Sequence, residues 1–194
     1  MAPTSILQLY MRVCGPMGPY FRAAALESDP VQRMKLIMSA SISFLEPCHT
    51  WAKPLNPILG ETIQATPSDG SVLSVEQVCH HPPCSYLLLE GPNNSYRYYS
   101  YSTFSVKAHI NSISLEVSGR KIIEFPDGSS IVFNNQEDTF GNTLIGSLNH
   151  VLHGKIKFED KVNGITGVMN MGFLRRVAKD YFEGYIESKG ERLV

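Results

Sequence analysis

The sequence predicts a mainly β protein fronted by an N-terminal helical layer and built on one strongly curved antiparallel sheet. Three observations lead there. Apolar residues recur at helical spacing only in the first fifty positions. After Pro57 the chain breaks into about ten short β-branched and aromatic segments, separated by Gly, Pro, Asn and Asp. The intervals between those segments, roughly 8–15 residues, leave no room for crossover helices, so neighbouring strands must pair antiparallel. A single sheet of that many strands curls or closes. The result is either a barrel around a cavity or a packed sandwich, and the strand pattern alone is compatible with both.

The helices come first. Asp29-Pro30-Val31-Gln32 is a helix start, with Asp29 as N-cap and Pro30 at the first helical position. Val31, Met34, Met38 and Leu45 recur at helical spacing, Ile37, Ser41 and Ile42 widen the stripe, and Pro47 ends it. A short helix is expected from Ser5 to Val13, closed by Gly15-Pro16, and another over Tyr20 to Leu26. Among the strands, Ile113, Leu115 and Val117 alternate with polar neighbours, as do Ile156 and Phe158, and Leu73 and Val75. Each reads as a strand with one wet and one dry face. Gly91-Pro92-Asn93-Asn94, Pro126-Asp127-Gly128 and Asn163-Gly164 are turn signals.

Composition narrows the function. The 194 residues suffice for one well-packed domain, and 43% hydrophobic against 18% charged residues can bury a core. The reading is one domain over 1–194, with a helical layer at 1–50 and a barrel at 51–194. Seventeen Lys and Arg against 18 Asp and Glu exclude the strong positive field that bulk nucleic-acid binding requires. No apolar run approaches the roughly 20 residues of a membrane-spanning helix. The stretch Ile6 to Met11 is too short, interrupted by Gln8 and lacks a preceding basic region, so it does not read as an export signal. The four cysteines (14, 48, 79, 84) are then expected to be reduced thiols in the cytoplasm.

Two segments carry chemistry. In Lys53-Pro54-Leu55-Asn56-Pro57-Ile58-Leu59-Gly60-Glu61, the prolines fix φ and remove donors, making a rigid elbow that holds Lys53 and Asn56 in place. A fixed ammonium can meet a phosphate or carboxylate, although a lone loop lysine is more often only solvated. In Glu76-Gln77-Val78-Cys79-His80-His81-Pro82-Pro83-Cys84, Pro82-Pro83 ends the strand, so His80 and His81 can turn toward one spot and clamp an anion. A pair of histidines in a wet loop is the bland reading. Zinc ligation by Cys79, His80, His81 and Cys84 is disfavoured by the compressed spacing. A Cys79–His nucleophile pair has no orienting acid in view.

These segments resemble the signatures of the oxysterol-binding-protein-related lipid-transfer family. Glu76 to Pro83 is similar to its E-Q-V-S-H-H-P-P, with Cys79 in place of Ser, and Lys53 to Glu61 to its K-P-x-N-P-x-L-G-E. Thr4 to Gln8, Asp29-Pro30 to Arg33-Met34, and Gly184 to Gly190 extend the resemblance along the chain. It implies an antiparallel barrel, complete or partly open, around a lipid tunnel. It also implies a non-enzymatic carrier of one sterol or phospholipid at a time, phosphatidylserine or a phosphoinositide, between membranes. Lys53, Asn56, His80 and His81 would be the headgroup ligands. No metal or other cofactor is implied, and the expected location is cytoplasmic, with transient contact with anionic membrane surfaces. The alternative is a module that senses lipid and reports to a protein partner, unidentified by the sequence, without transporting it. The family's lid and its later K-x-x-x-E-x-x-x-R cluster have no counterpart in these 194 residues, so the reading is either a fragment or a reduced member with a more open pocket. Ile6, Leu7, Leu9 and Tyr10 are the candidates for a short lid. His109, His150 and His153 read as surface or loop histidines, and Tyr96, Tyr98, Tyr99 and Tyr101 as cross-strand pairs or tunnel lining. Trp51 and the Arg175-Arg176 and Lys179 cluster are candidate membrane contacts.

Overall fold

The computed structural model describes residues 3–43, 53–172 and 181–194. Leu45, Pro47, Cys48, Trp51, Arg175, Arg176 and Lys179 lie outside these residues. Two helices, α1 (Ile6–Leu26) and α2 (Pro30–Ser43), precede the strands. The strands are β1 (Thr62–Ala65), β2 (Val72–His80), β3 (Pro83–Glu90), β4 (Arg97–Ala108), β5 (Ser112–Ser118), β6 (Lys121–Glu124), β7 (Ser130–Phe133), β8 (Glu137–Gly141), β9 (Asn149–Asp160), β10 (Ile165–Met171), β11 (Phe182–Ser188) and β12 (Glu191–Arg192).

α1 corrects the expectation of two short helices. It runs unbroken through Pro16 and Pro19. Both prolines lie on the exposed side, where the carbonyls they leave without an amide donor face water. The opposite side (Leu7, Cys14, Met17, Phe21 and Ala24) is buried, and that packing outweighs the lost bonds. Gly18 lets the helix approach the loop before β2, since a Cβ there would fall 2.2 Å from Asp69 Oδ2. α2 is capped as expected: the Val31 amide donates to Asp29 Oδ1 at 2.9 Å. Met34, Ile37 and Ser41 of the expected stripe are buried, with Val31, Met38 and Ile42 partly so. Arg33 is buried as well. Its Nε donates to Ala24 O at 3.1 Å and Glu27 O at 3.0 Å, and its Nη1 donates to Asp127 and Ser129 at 2.6 Å. One side chain thus ties both helices to the β6–β7 turn.

All pairings between the strands are antiparallel. The count of twelve hides a simpler path. β4 pairs first with β6 and then with β5, and β9 pairs with β8 and then with β7. So β5–β6 is one strand broken at Gly119-Arg120, and β7–β8 is another broken at residues 134–136. The sheet is a ten-lane meander, matching the number of strands the sequence suggests. β1 and β12 do not pair with each other among the described residues, so it curls into an incompletely closed barrel.

Each break has a local cause. Gly119 has φ +133°, and a Cβ there would lie 2.0 Å from Tyr101 O, so only glycine fits. Opposite it, Asn134 replaces the missing ladder groups: its Nδ2 donates to Lys155 O at 2.9 Å, and the Lys157 amide donates to its Oδ1 at 2.7 Å. The second break also shifts the frame. Before it the inward residues are odd-numbered (Ile131, Phe133), and after it they are even-numbered (Gln136, Asp138, Phe140).

Candidate functional site

A cavity of about 730 Å³ opens between α1 and the sheet. Ile6, Leu9, Tyr10, Val13, Cys14 and Met17 of α1 form one wall. Inward residues of the strands form the rest, among them Leu87, Tyr98, Phe104, Leu115, Val117 and Phe140. The lining is mostly apolar, as a pocket for an apolar ligand requires. The dry face expected at Ile113, Leu115 and Val117 is therefore a cavity wall, and none of the three is fully buried. Ile6, Leu9 and Tyr10, candidates for a lid, are fixed as one turn of a long helix; Leu7 faces the core instead.

Lys53, Asn56, His80 and His81 all line this cavity, and all four are exposed at its rim. Backbone bonding brings the two segments together. Leu55 is held to the start of α1, its amide donating to Thr4 O at 2.9 Å and its carbonyl accepting from Ile6 N at 3.0 Å. Five residues on, the Gly60 amide donates to Gln77 O at 2.8 Å and the Gln77 amide donates to Glu61 O at 3.0 Å. The elbow is thus clamped between α1 and β2, directly before the histidines. β2 carries a bulge between Gln77 and Cys79, which re-aims its last residues. His80 then pairs with Pro83, the first residue of β3, a position where proline is tolerated. The imidazoles meet edge to face with ring centroids 4.7 Å apart. In place of facing opposite sides, as neighbours in a regular strand would, they reach the same rim.

A second polar group, which sequence reasoning missed, lies within the wall: Lys121, Gln136, Asp138 and His150. His150, read from sequence as a surface or loop residue, has a side chain only 5% exposed. It stacks on Phe140 at 4.3 Å, with its Nε2 3.6 Å from Asp138 Oδ1. His153 accompanies Thr139 on the outer face, its Nε2 2.8 Å from the hydroxyl oxygen. Burial raises the Asp138 carboxyl to about 6, opposed by the nearby Lys121 ammonium. Burial also pushes the Cys14 thiol up to about 12, which makes it an inert packing residue. Of the tyrosines, Tyr86 and Tyr101 are a stacked cross-strand pair at 5.8 Å, and Tyr98 both lines the cavity and packs on Phe21. No group of three or more His, Cys, Asp or Glu within reach of a common metal ion occurs among the described residues.

Comparison with known proteins places this geometry in context. A profile described as oxysterol-binding protein matches residues 1–193. Oxysterol-binding protein 9 of Dictyostelium discoideum is 35% identical over 151 residues, covering 78% of this chain and 35% of that protein. Mouse oxysterol-binding protein-related protein 1 is 30% identical over 197 residues, covering 98% of this chain and 20% of that protein. The chain thus spans about a third of one of these relatives and a fifth of the other. Among solved structures, the Osh3 ORD of Saccharomyces cerevisiae in complex with PI(4)P superimposes with a TM-score of 0.82 at 22% identity, covering 98% of this chain and 52% of that one. The Osh1 ORD in complex with ergosterol gives 0.86 at 23% identity, covering 97% and 46%. The two structures share the fold described above, and with the profile spanning the chain almost end to end, the chain belongs to the oxysterol-binding protein family.

Proposed function

We propose that this chain is a non-enzymatic lipid-binding domain that takes one sterol or phospholipid into its cavity and carries it between membranes. The observation that carries this reading is the pairing of a large apolar cavity with Lys53, Asn56, His80 and His81 at its rim. Apolar surface moved from water into the cavity contributes about 25 cal/mol per Å², so a sterol or acyl chain gains several kcal/mol before association costs. A phosphate stays at the rim, where the Lys53 ammonium, the Asn56 amide and the imidazoles donate to it while water still solvates the rest. One cavity holds one ligand, so the two classes exclude each other, which is the basis of exchange. No bond is made or broken, and no catalytic group is needed.

The topology supports membrane contact at the same end. In a meander, alternate turns share an end. The turns after β2 (His81-Pro82), after β4 (residues 109–111) and after β8 (residues 142–148) therefore lie together. Two of them expose large apolar residues, with Ile110 at 91% and Ile145 at 79%. Asn111 locks these tips together: its Oδ1 accepts from Leu144 N at 2.9 Å and Ile145 N at 3.0 Å, and its Nδ2 donates to Ile145 O at 3.0 Å.

The test is transfer between liposomes by the wild type and by the His80→Ala/His81→Ala double variant. Phosphatidylinositol 4-phosphate transfer is expected to fall about tenfold, the loss of one or two charge-assisted hydrogen bonds, with sterol transfer unchanged. Unchanged phospholipid transfer would overturn the headgroup assignment. Binding without transfer of either lipid would identify a lipid sensor instead.

A further inference from the structure

The bulge in β2 has a second effect besides re-aiming the histidines. Up to Gln77 and Ser85 the ladder between β2 and β3 is regular, and an unbroken register would set Val78 opposite Cys84 next. The bulge leaves Val78 out and sets Cys79 opposite Cys84, so the last two rungs are Cys79–Cys84 and His80–Pro83. Directly opposed residues of an antiparallel pair share one face of the sheet, with Cα atoms about 4.5–5.5 Å apart, which lies within the span of about 4.4–6.8 Å that a disulfide bridges. The preceding rung shows this sharing of a face: Ser85 Oγ donates to Gln77 Oε1 at 2.5 Å. On β3, Pro83 and Ser85 line the cavity, so Cys84 between them faces outward, and Cys79 opposite it does the same. Both are free thiols and partly exposed, whereas Cys14 is buried.

We propose that Cys79 and Cys84 are a reversible redox pair whose disulfide staples the turn that carries His80 and His81. The ring it closes contains only His80, His81, Pro82 and Pro83 between the two cysteines. A hydroperoxide is the oxidant. The thiolate of one cysteine attacks the O–O bond and becomes a sulfenic acid, with release of hydroxide. The second thiolate attacks the sulfenic sulfur, so that the S–S bond forms, the S–O bond breaks and a second hydroxide leaves. The protons given up by the two thiols turn both hydroxides into water. Each sulfur has then lost one electron, and hydrogen peroxide has been reduced to water. A dithiol reverses the bond by exchange and is itself left as a disulfide. The bond stands apart from the lipid-binding reading above, but its consequence for a phosphate rests on that reading. With the turn stapled, less ordering of the histidines remains to be done when a headgroup docks, and the complex tightens chiefly through slower release.

The experiment treats the reduced chain with hydrogen peroxide. Intact mass, tandem mass spectrometry of a digest, and binding of phosphatidylinositol 4-phosphate and of cholesterol are measured before and after. The expected product has lost two hydrogens, carries a Cys79–Cys84 cross-link and returns to the starting mass with dithiothreitol. Affinity for the phospholipid should rise about threefold on oxidation, with cholesterol affinity unchanged. Cys79→Ser and Cys84→Ser should each bind both lipids as the reduced wild type does and lose the response to peroxide; either one suffices should the other not fold. Oxidation of single thiols only, or a bond to any other cysteine, would overturn the redox pair while leaving the lipid-binding reading intact. A Cys79–Cys84 bond that leaves phospholipid affinity unchanged would overturn the stapling of the histidines. A Cys79–Cys84 bond in a chain that binds neither lipid in either state would uphold the pair and overturn the lipid-binding reading.

Discussion

The two ends of the barrel use the same strands and reach opposite results. At one end the inward residues Tyr98, Phe133 and Phe158 form a continuous aromatic stack, with centroids 6.4 and 5.0 Å apart, and Phe21 of α1 closes on Tyr98 at 5.0 Å. At the other, Phe104 and Val106 continue the inward face of β4 beyond Tyr98, and Phe140 belongs to the β7–β8 strand that begins with Phe133, yet these residues stand on a cavity. The inward alternation is unbroken along β4, from Tyr98 through Ser100 and Ser102 to Phe104 and Val106. What differs is the layer opposite, since α1 presents a phenylalanine at the packed end and Ile6, Leu9, Tyr10 and Val13 along the hollow one. A dry face is therefore a statement about a strand, and whether it becomes core or binding site is decided by what faces it.

Mutation separates the two ends. Phe158→Ala, at 0% exposure, should cost about 4 kcal/mol in chemical denaturation, because the vacated space is walled by rigid neighbours. Phe104→Ala should change stability by less than about 1 kcal/mol while weakening lipid binding several-fold, because its surroundings are already open. Comparable stability losses in both would erase the distinction.

Arg33→Met tests whether the helical layer and the closed end of the barrel unfold as one unit. The substitution takes the guanidinium donors away from the Ala24 and Glu27 carbonyls and from Asp127, and should cost about 3 kcal/mol. A single cooperative transition is expected to persist in both far- and near-UV signals. Separate transitions for helices and sheet would show that the two layers are only loosely joined.

Asp138 gives a small effect on stability with a definite sign. Folding raises its carboxyl from 3.8 to about 6, so the fold disfavours the charged form. The stability linked to this group is complete below about pH 4 and declines as pH rises through about 6. Asp138→Asn should therefore stabilise the protein by about 1–2 kcal/mol near pH 8 and by nothing near pH 3.5. A gain of equal size at both pH values would assign the effect to packing.

Much of this was readable in advance, and the parts that were not share a physical reason. The elbow at Lys53–Glu61 and the histidine pair announce themselves through proline, whose constraints are local and independent of the fold. Asp29, the strand alternations and the Gly-containing turns are local in the same sense, and the structure bears them out. α1 departs from the expectation because the cost of Pro16 and Pro19 is offset by the buried stripe on the opposite side, and that packing is a tertiary property. Gln136 and Asp138 were missed because their direction depends on a one-residue frame shift at residues 134–136, whereas His150 simply keeps the even-numbered inward parity of Leu152, Ile156 and Phe158 on β9. The parity of Asp138 with Phe140 was the available clue, as it places a carboxylate on an apolar face.

That frame shift makes the lining of the cavity a matter of backbone register as well as of side-chain identity. In an unbroken strand of the same length Glu137 and Thr139 would follow Phe133 on the inner wall, so the break itself puts a carboxamide and a carboxylate there, while the aromatic stack before it stays as it is.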